Sequence, residues 1–175
     1  TILEEEVRLV IEPGTEVLLS PGKSLIIEGA LVARGTEDEP IVFRSSSTDA
    51  PFGVVAIVNT KNRENHLRHV KISNGSHAEI LDVSYLGALS IYNADALLEN
   101  VTFEENLTGD AINAVYSRTR IVNSLFRNNA DCIDYDFSSG AILNNTFENC
   151  NDDVIDISHS NTLIDGNLIH KAGDK

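Results

Sequence analysis

The chain has 175 residues, 42 % hydrophobic and 23 % charged, enough for one domain with a sizeable core. Its net charge of −14 excludes a surface built to hold nucleic-acid phosphates or anionic membranes, and it repels polyanionic sugars unless calcium intervenes. No apolar run is long enough to cross a bilayer, and with neither a signal peptide nor a single Met the sequence reads as a mature or trimmed piece.

The predicted elements begin with short strands. "TILEEEVR" is polar and reads as part of a cover over an open sheet end, since exposed strand edges invite aggregation. "LVIEPG", "VLLSPG", "SLIIEG", "LVARG" and "PIVFRS" are then strands ended by Gly or a charged turn, and Gly14 to Gly35, 21 residues, spans one coil. Residues 1–45 are therefore the cap and first coils. In the loop-rich coils of residues 46–86, "SSSTDAPFG" and "NTKNREN" read as loops. "NGSHAEILDVSYLG" reads as an excursion between two coils, where binding residues tend to sit.

From residue 87 to 175 the chain repeats itself. Phe103, Phe126, Phe147 and Ile169 are 23, 21 and 22 residues apart, and Ile72 occupies the same slot earlier. Leu67, Leu98, Ile121, Ile142 and Ile164 stand five residues before each; His69, Asn100, Asn123, Asn144 and Gly166 stand three before. A second register runs Leu89, Ile112, Ile133, Ile155, with Ile91, Ala114, Tyr135 and Ile157 two residues on and Ser90, Asn113, Asp134 and Asp156 between. That apolar–polar–apolar alternation marks strands with one buried face.

A period near 22 without a Leu-x-x-Leu-x-Leu pattern or helical spacing predicts an all-β, single-stranded parallel β-helix. Each strand pairs with its copy about 4.8 Å away, so each residue type recurs as a column. The Asn column 100, 123, 144 is expected in tight bends, its amides bonding to one another. On that reading the "NVT" and "NNT" sequons face inward, where no glycan fits. Cys132 and Cys150 read as fillers of small apolar slots more readily than as a disulfide. The lower end is expected to continue beyond "HKAGDK" or to associate end to end.

"VRLVIEPGTEVLL", "SLIIEGALVARGTEDEPIVFRSS" and "GALSIYNADALLENVTF" resemble the right-handed parallel β-helix domains, pectate-lyase-like in type, of bacterial secreted and cell-surface proteins. "DCIDYDFSSGAILNNTFENCNDDVIDISHS" with "HKAGDK" is similar to the β-helix that accompanies some CotH-type kinase domains. The resemblance implies right-handed winding, as does the crossover rule, and a secreted or cell-surface location, without assigning a chemistry. A fainter likeness is to polygalacturonase-type hydrolases, which carry Asn-Thr-Asp, then Asp-Asp one coil later, then Gly-His-Gly. Here Asn129-Ala130-Asp131 is followed by Asp152–Asp153, with Asp152 placed 21 residues on from Asp131, but "AGDK" puts Lys175 where the His falls.

The acids form columns: Asp110, Asp131, Asp153, and Asn113, Asp134, Asp156, with Asp136 and Asp152 beside them. Like charges about 5 Å apart raise one another's pKa. They can simply solvate the strands. They can hold calcium through Asp131, Asp134, Asp153 and Asp156. Or they can act as acid and base on a sugar, through Asp131, Asp152 and Asp153. Asp134, Asp136, Asp156 and His159, in the turn after the acidic strand, are the candidate ligand contacts. Neither a nucleophile elbow nor a phosphate loop is present. The expected function is an extracellular module that displays or binds, with a glycan or a cell-surface protein as partner. The alternative is a polysaccharide hydrolase or lyase.

Overall fold

The computed structural model describes residues 1–173. The chain winds through seven coils, and each coil contributes one strand to each of three seven-stranded sheets, so the fold is a parallel β-helix. Chain order alternates strictly among the sheets. In the sixth coil Asp131–Asp136 lies in the first sheet, Ser139–Leu143 in the second and Thr146–Cys150 in the third. All pairings between coils are parallel.

The predicted columns are the observed registers. Phe103 pairs with Phe126, Phe126 with Phe147 and Phe147 with Ile169, and the column reaches back through Ile72 and Phe43 to Val17. The three Phe rings lie parallel at 5.1 and 4.8 Å and are fully buried. Leu98, Ile121 and Ile142 form the second buried column, and Leu89, Ile112 and Ile133 the third. One continuous core therefore runs down the axis. "TILEEEVR" supplies the first strand, Ile2–Leu3, which pairs with Leu25–Ile27. The loops around residues 46–54 and 59–65 fall where expected.

The excursion is an antiparallel hairpin, Ala78–Ile80 with Val83–Tyr85. It covers the outer face of the first sheet, where Tyr85, Ile26, Val54, Ala56 and Val58 form a second, smaller apolar cluster. That cover explains why residues 54–58, "VVAIV", are apolar throughout: both faces of the strand are buried.

Every regular coil turns three corners, each on a residue with positive φ. Asn59, Asn93, Tyr116, Phe137 and His159 form the first set; His69, Asn100, Asn123, Asn144 and Gly166 the second; Asn74, Glu105, Asn128, Asn149 and Lys171 the third. Asn tolerates this region, which is why it dominates. The side chains of Asn100, Asn123 and Asn144 point to solvent, which corrects the expectation of an inward amide ladder. The ladder is built one residue later. There the side chain turns inward and accepts the backbone N–H of its counterpart in the coil above. Val101 N–H donates to Ser124 Oγ at 3.1 Å, Ser124 N–H to Asn145 Oδ1 at 2.8 Å, and Asn145 N–H to Asn167 Oδ1 at 2.8 Å. At the first corner Ala94, Ser117 and Ser138 donate in the same way to Ser117, Ser138 and Ser160. At the third, Gly75 and Asn106 donate to Asn106 and Asn129. The steric argument against glycans on Asn100 and Asn144 falls with this; Asn106 is the sequon residue that is fully buried.

Cys132 and Cys150 form a disulfide, against the expectation of unpaired fillers. Cys150 stands below Asn129 at the third corner, so the ladder of Asn106 and Asn129 is continued by a covalent link back to Cys132 in the first strand of the same coil. Sequence spacing alone did not show that a corner residue and a strand start in one coil face each other.

Asn145→Ala removes the acceptor for Ser124 and donors to Ile121 O and Asn167 Oδ1. Chemical denaturation should show a loss of about 1–3 kcal/mol, while Asn144→Gly on the same corner stays within about 0.5 kcal/mol of the parent. Replacing both cysteines by Ser, 18 residues apart, should cost about 3 kcal/mol and lower the melting temperature.

Candidate functional site

The outer face of the first sheet changes character along the axis. One outward column runs Ile26, Ala56, Ser90, Asn113, Asp134, Asp156. It is apolar under the hairpin and acidic beyond it. Asp110 sits at the boundary, where its N–H donates to Leu86 O at 3.1 Å, and it pairs in register with Asp131. Burial, then the charges of Asp134 and Asp131, push the Asp110 carboxyl up to about 7. Burial and the neighbouring Asp136 and Asp156 push Asp134 up to about 6. Burial also raises Asp131, opposed by the bond its Oδ1 accepts from Asp153 N–H at 2.9 Å.

A polar chain leads from the hairpin into this stripe. Tyr92 Oη lies 2.8 Å from Ser84 O and 2.5 Å from Asn113 Oδ1, and Asn113 Nδ2 donates to Asp134 Oδ2 at 2.9 Å. Burial pushes the Tyr92 phenol up to about 12, so it stays a donor.

The structure places the predicted residues unequally. Asp131, Asp134, Asp136, Asp153 and Asp156 share the outer side of the first sheet in three columns: Asp131 with Asp153, Asp134 with Asp156, and Asp136 between Val115 and Ser158. Asp153, not Asp152, stands under Asp131; Asp152 is one step back, exposed, its N–H donating to Ala130 O at 3.0 Å. The 21-residue alignment of Asp131 with Asp152 is corrected to 22 residues and Asp153. Among the described residues no three His, Cys, Asp or Glu side chains converge as a metal-binding set, and this includes the four assigned to calcium. Lys175 lies outside the described residues. His159 stands apart, on the first corner, where its ring stacks on Phe137 at 5.0 Å and Phe137 stacks on Tyr116 at 5.1 Å.

That corner borders a groove along the outer face of the second sheet. One stretch, of about 620 Å³, is lined by Arg63, Glu64 and His66 at its upper end. Asp95, Leu97, Arg118 and Arg120 follow in the middle, and Ala141 and Leu163 below. Its floor is a single register column: His66, Leu97, Arg120, Ala141, Leu163. A second stretch of about 350 Å³ shares Asp95 and Arg118 with the first and is walled by Tyr116 and Phe137, which are 57 % and 50 % exposed. Arg118 pairs with Asp95 at 2.9 Å across the shared rim. At the upper end Arg8 and Arg34 both bind Glu64. Arg34 Nε–H donates to His66 Nδ1 at 2.9 Å. A guanidinium only donates, so the His66 ring is held as the Nε2–H tautomer, donating to Glu99 Oε2 at 2.8 Å.

Sequence reasoning missed this groove. Its signal was present in the outward residues of the second-sheet strands, which carry Arg where the first sheet carries Asp, and in Tyr116, Phe137 and His159, 21 and 22 residues apart. Summing the charge of the whole chain hid the first, and searching for Asn at the corners hid the second.

The chain matches no family model, no curated protein and no solved structure, so the class that fold and sites define is the parallel β-helix.

Asp110 and Asp134 carry folded pKa values above the ordinary 3.8 of an unfolded Asp. Their stabilising contribution is complete below about pH 4 and is lost as pH rises through about 6 to 7. The melting temperature should therefore rise on going from pH 8 to pH 5, and Asp110→Asn should flatten that rise; an unchanged slope would place the titration elsewhere.

Proposed function

We propose that this β-helix is an extracellular binding module that takes a linear glycan along the groove of the second sheet. One observation carries the reading. The groove runs parallel to the coil axis across five successive coils, about 19 Å at the coil spacing, with Leu97, Ala141 and Leu163 as apolar steps of a floor that His66 and Arg120 make polar, and with hydrogen-bonding rims. An extended polymer fits a groove of that form, because each coil adds one further row of side chains along its length. The disulfide supports a secreted or cell-surface location, since such bonds persist in oxidising compartments. The resemblance to bacterial cell-surface β-helices, pectate-lyase-like or CotH-associated, points the same way.

A second reading, a polysaccharide hydrolase or lyase, draws on the first sheet. Burial pushes the Asp110 carboxyl up to about 7 and Asp134 up to about 6, and a carboxyl that keeps a proton toward neutrality, with a second carboxyl in the adjoining coil, is what acid–base cleavage of a sugar needs.

Affinity electrophoresis and calorimetry against a panel of linear polysaccharides test both. The module reading expects retention by at least one polysaccharide, weakened about tenfold by Leu97→Asp in the groove floor and unchanged by Asp156→Asn on the acidic face. Failure to bind any polysaccharide overturns it. Release of reducing or unsaturated ends by the parent, abolished in Asp134→Asn, moves the function to the acidic face.

A further inference from the structure

We propose that the second-sheet groove selects an anionic linear glycan, one bearing carboxylate or sulfate groups, and that Arg120 fixes the anion. The proposal rests on the glycan reading above and adds the charge of the ligand.

The net charge of −14 is not spread evenly. No strand of the first sheet contains Lys or Arg, and its outward face carries the Asp columns. Of the 13 Lys and Arg residues, seven stand in second-sheet strands or in the loop that leads into one: Arg8, Arg34, Lys61, Arg63, Arg68, Arg118 and Arg120. The same strands and loops also hold eight acids, Glu4, Glu5, Glu6, Glu28, Glu64, Asp95, Glu99 and Asp165, so the second sheet as a whole is not cationic. The groove itself is lined by Lys61, Arg63, Arg118 and Arg120 against Glu64 and Asp95, a local excess of two cations. The field at a ligand is set by the charges lining the cleft more than by the distant total, which is screened within about 8–10 Å at ordinary salt.

The cations differ in what they already hold. Arg8 and Arg34 share Glu64, Arg63 binds Glu5, and Arg118 binds Asp95. Among the described residues Arg120 is in no ion pair, yet it stands in the floor column, between Leu97 above and Ala141 below. An Arg stem packs along such an apolar strip and leaves its planar guanidinium free. Its five donors match a carboxylate or sulfate in a bidentate way that Lys does not reproduce. Two residues along the strand, on the same face, Arg118 is largely exposed and held to Asp95 by a bond that water and salt weaken. It supplies a second cation at the rim.

The same geometry disfavours the other common polyanion. Sequence-tolerant nucleic-acid binding uses aromatic faces on which bases stack, with many phosphates neutralised. Here the Tyr116, Phe137 and His159 rings lie face to face with one another, so both faces of Phe137 are already taken up by its neighbours.

Calorimetry with the full chain decides it, using four probes: a neutral glucan hexamer, a hexuronate, a sulfated hexamer and a single-stranded DNA 10-mer. The expected result is binding of the hexuronate or the sulfated hexamer at least about tenfold tighter than the neutral one, one charge-assisted bidentate contact being worth that much. The two anionic arms distinguish carboxylate from sulfate. Arg120→Gln should erase the preference, Arg120→Lys should restore it only in part, and Arg127→Gln on the third sheet should leave it unchanged. Arg120 is exposed, so unchanged melting curves will confirm that the variants fold. Equal binding of neutral and anionic hexamers, indifferent to Arg120→Gln, overturns the anion inference and leaves the glycan reading standing. Binding of no hexamer overturns both. DNA bound more tightly than either anionic hexamer overturns the inference in favour of nucleic acid.

Discussion

A buried backbone N–H must find an acceptor, and at each corner of this coil it finds one in the side chain of the coil below. The strands look after their own donors through parallel pairing. The corners, where the chain leaves one sheet for the next, would otherwise leave orphan donors next to the core. Ser117, Ser138 and Ser160 at one corner, Ser124, Asn145 and Asn167 at another, and Asn106 and Asn129 at the third each accept one such bond. A side chain aimed inward at that point needs the preceding residue to reverse the chain sharply, which explains the positive φ immediately before it. The core columns then follow, because once corners stack, strands between them have no freedom of register.

That constraint also positions the surface. Corner residues with positive φ project outward at the coil spacing, so any side chain placed there becomes a ladder. Asn93 and Asn59 bond to each other, as do Asn149 and Asn128. Tyr116 and Phe137 are unusual occupants, since bulky residues disfavour this backbone region by about 1–2 kcal/mol. Ring stacking along the column offsets part of that cost and leaves two half-exposed aromatic rings beside the groove. Strain accepted at an exposed position points to use at that position. The first sheet shows the same mechanics: an acid repeated from coil to coil turns into a stripe, whereas on the second sheet the arginines stand in separate columns and alternate with Asp95, Leu97 and Ala141.

The columns of Phe103, Phe126 and Phe147, and of Leu89, Ile112 and Ile133, were legible because burial enforces apolar residues at a fixed period. The hairpin was legible only as an interruption. Its role as a cover over Ile26, Ala56 and Val58 depends on the direction in which it folds back. The acids were legible as columns too, and the registers of Asp110 with Asp131 and of Asp134 with Asp156 agree with that reading. The Asn ladder was misplaced by one residue. In a turn, the residue with the unusual backbone and the residue with the inward side chain are neighbours, and composition alone does not separate them. The disulfide escaped because it joins two residues of one coil that share no column, and the groove because its column of His66, Leu97, Arg120, Ala141 and Leu163 does not repeat one residue type.

The sequence by itself determined what repeats: the coil length and the identity of the stacked columns, because stacking demands the same chemistry at the same place in every coil, while the three strands per turn came from the structure. Tertiary structure decided what lies side by side. It set which face carries Arg120 next to Leu97, which corner brings Cys150 to Cys132, and how far Asp110 is tucked beneath the hairpin. Those relations run around the coil, and neighbours around a coil are fixed by the angles of its corners, which no period along the chain encodes.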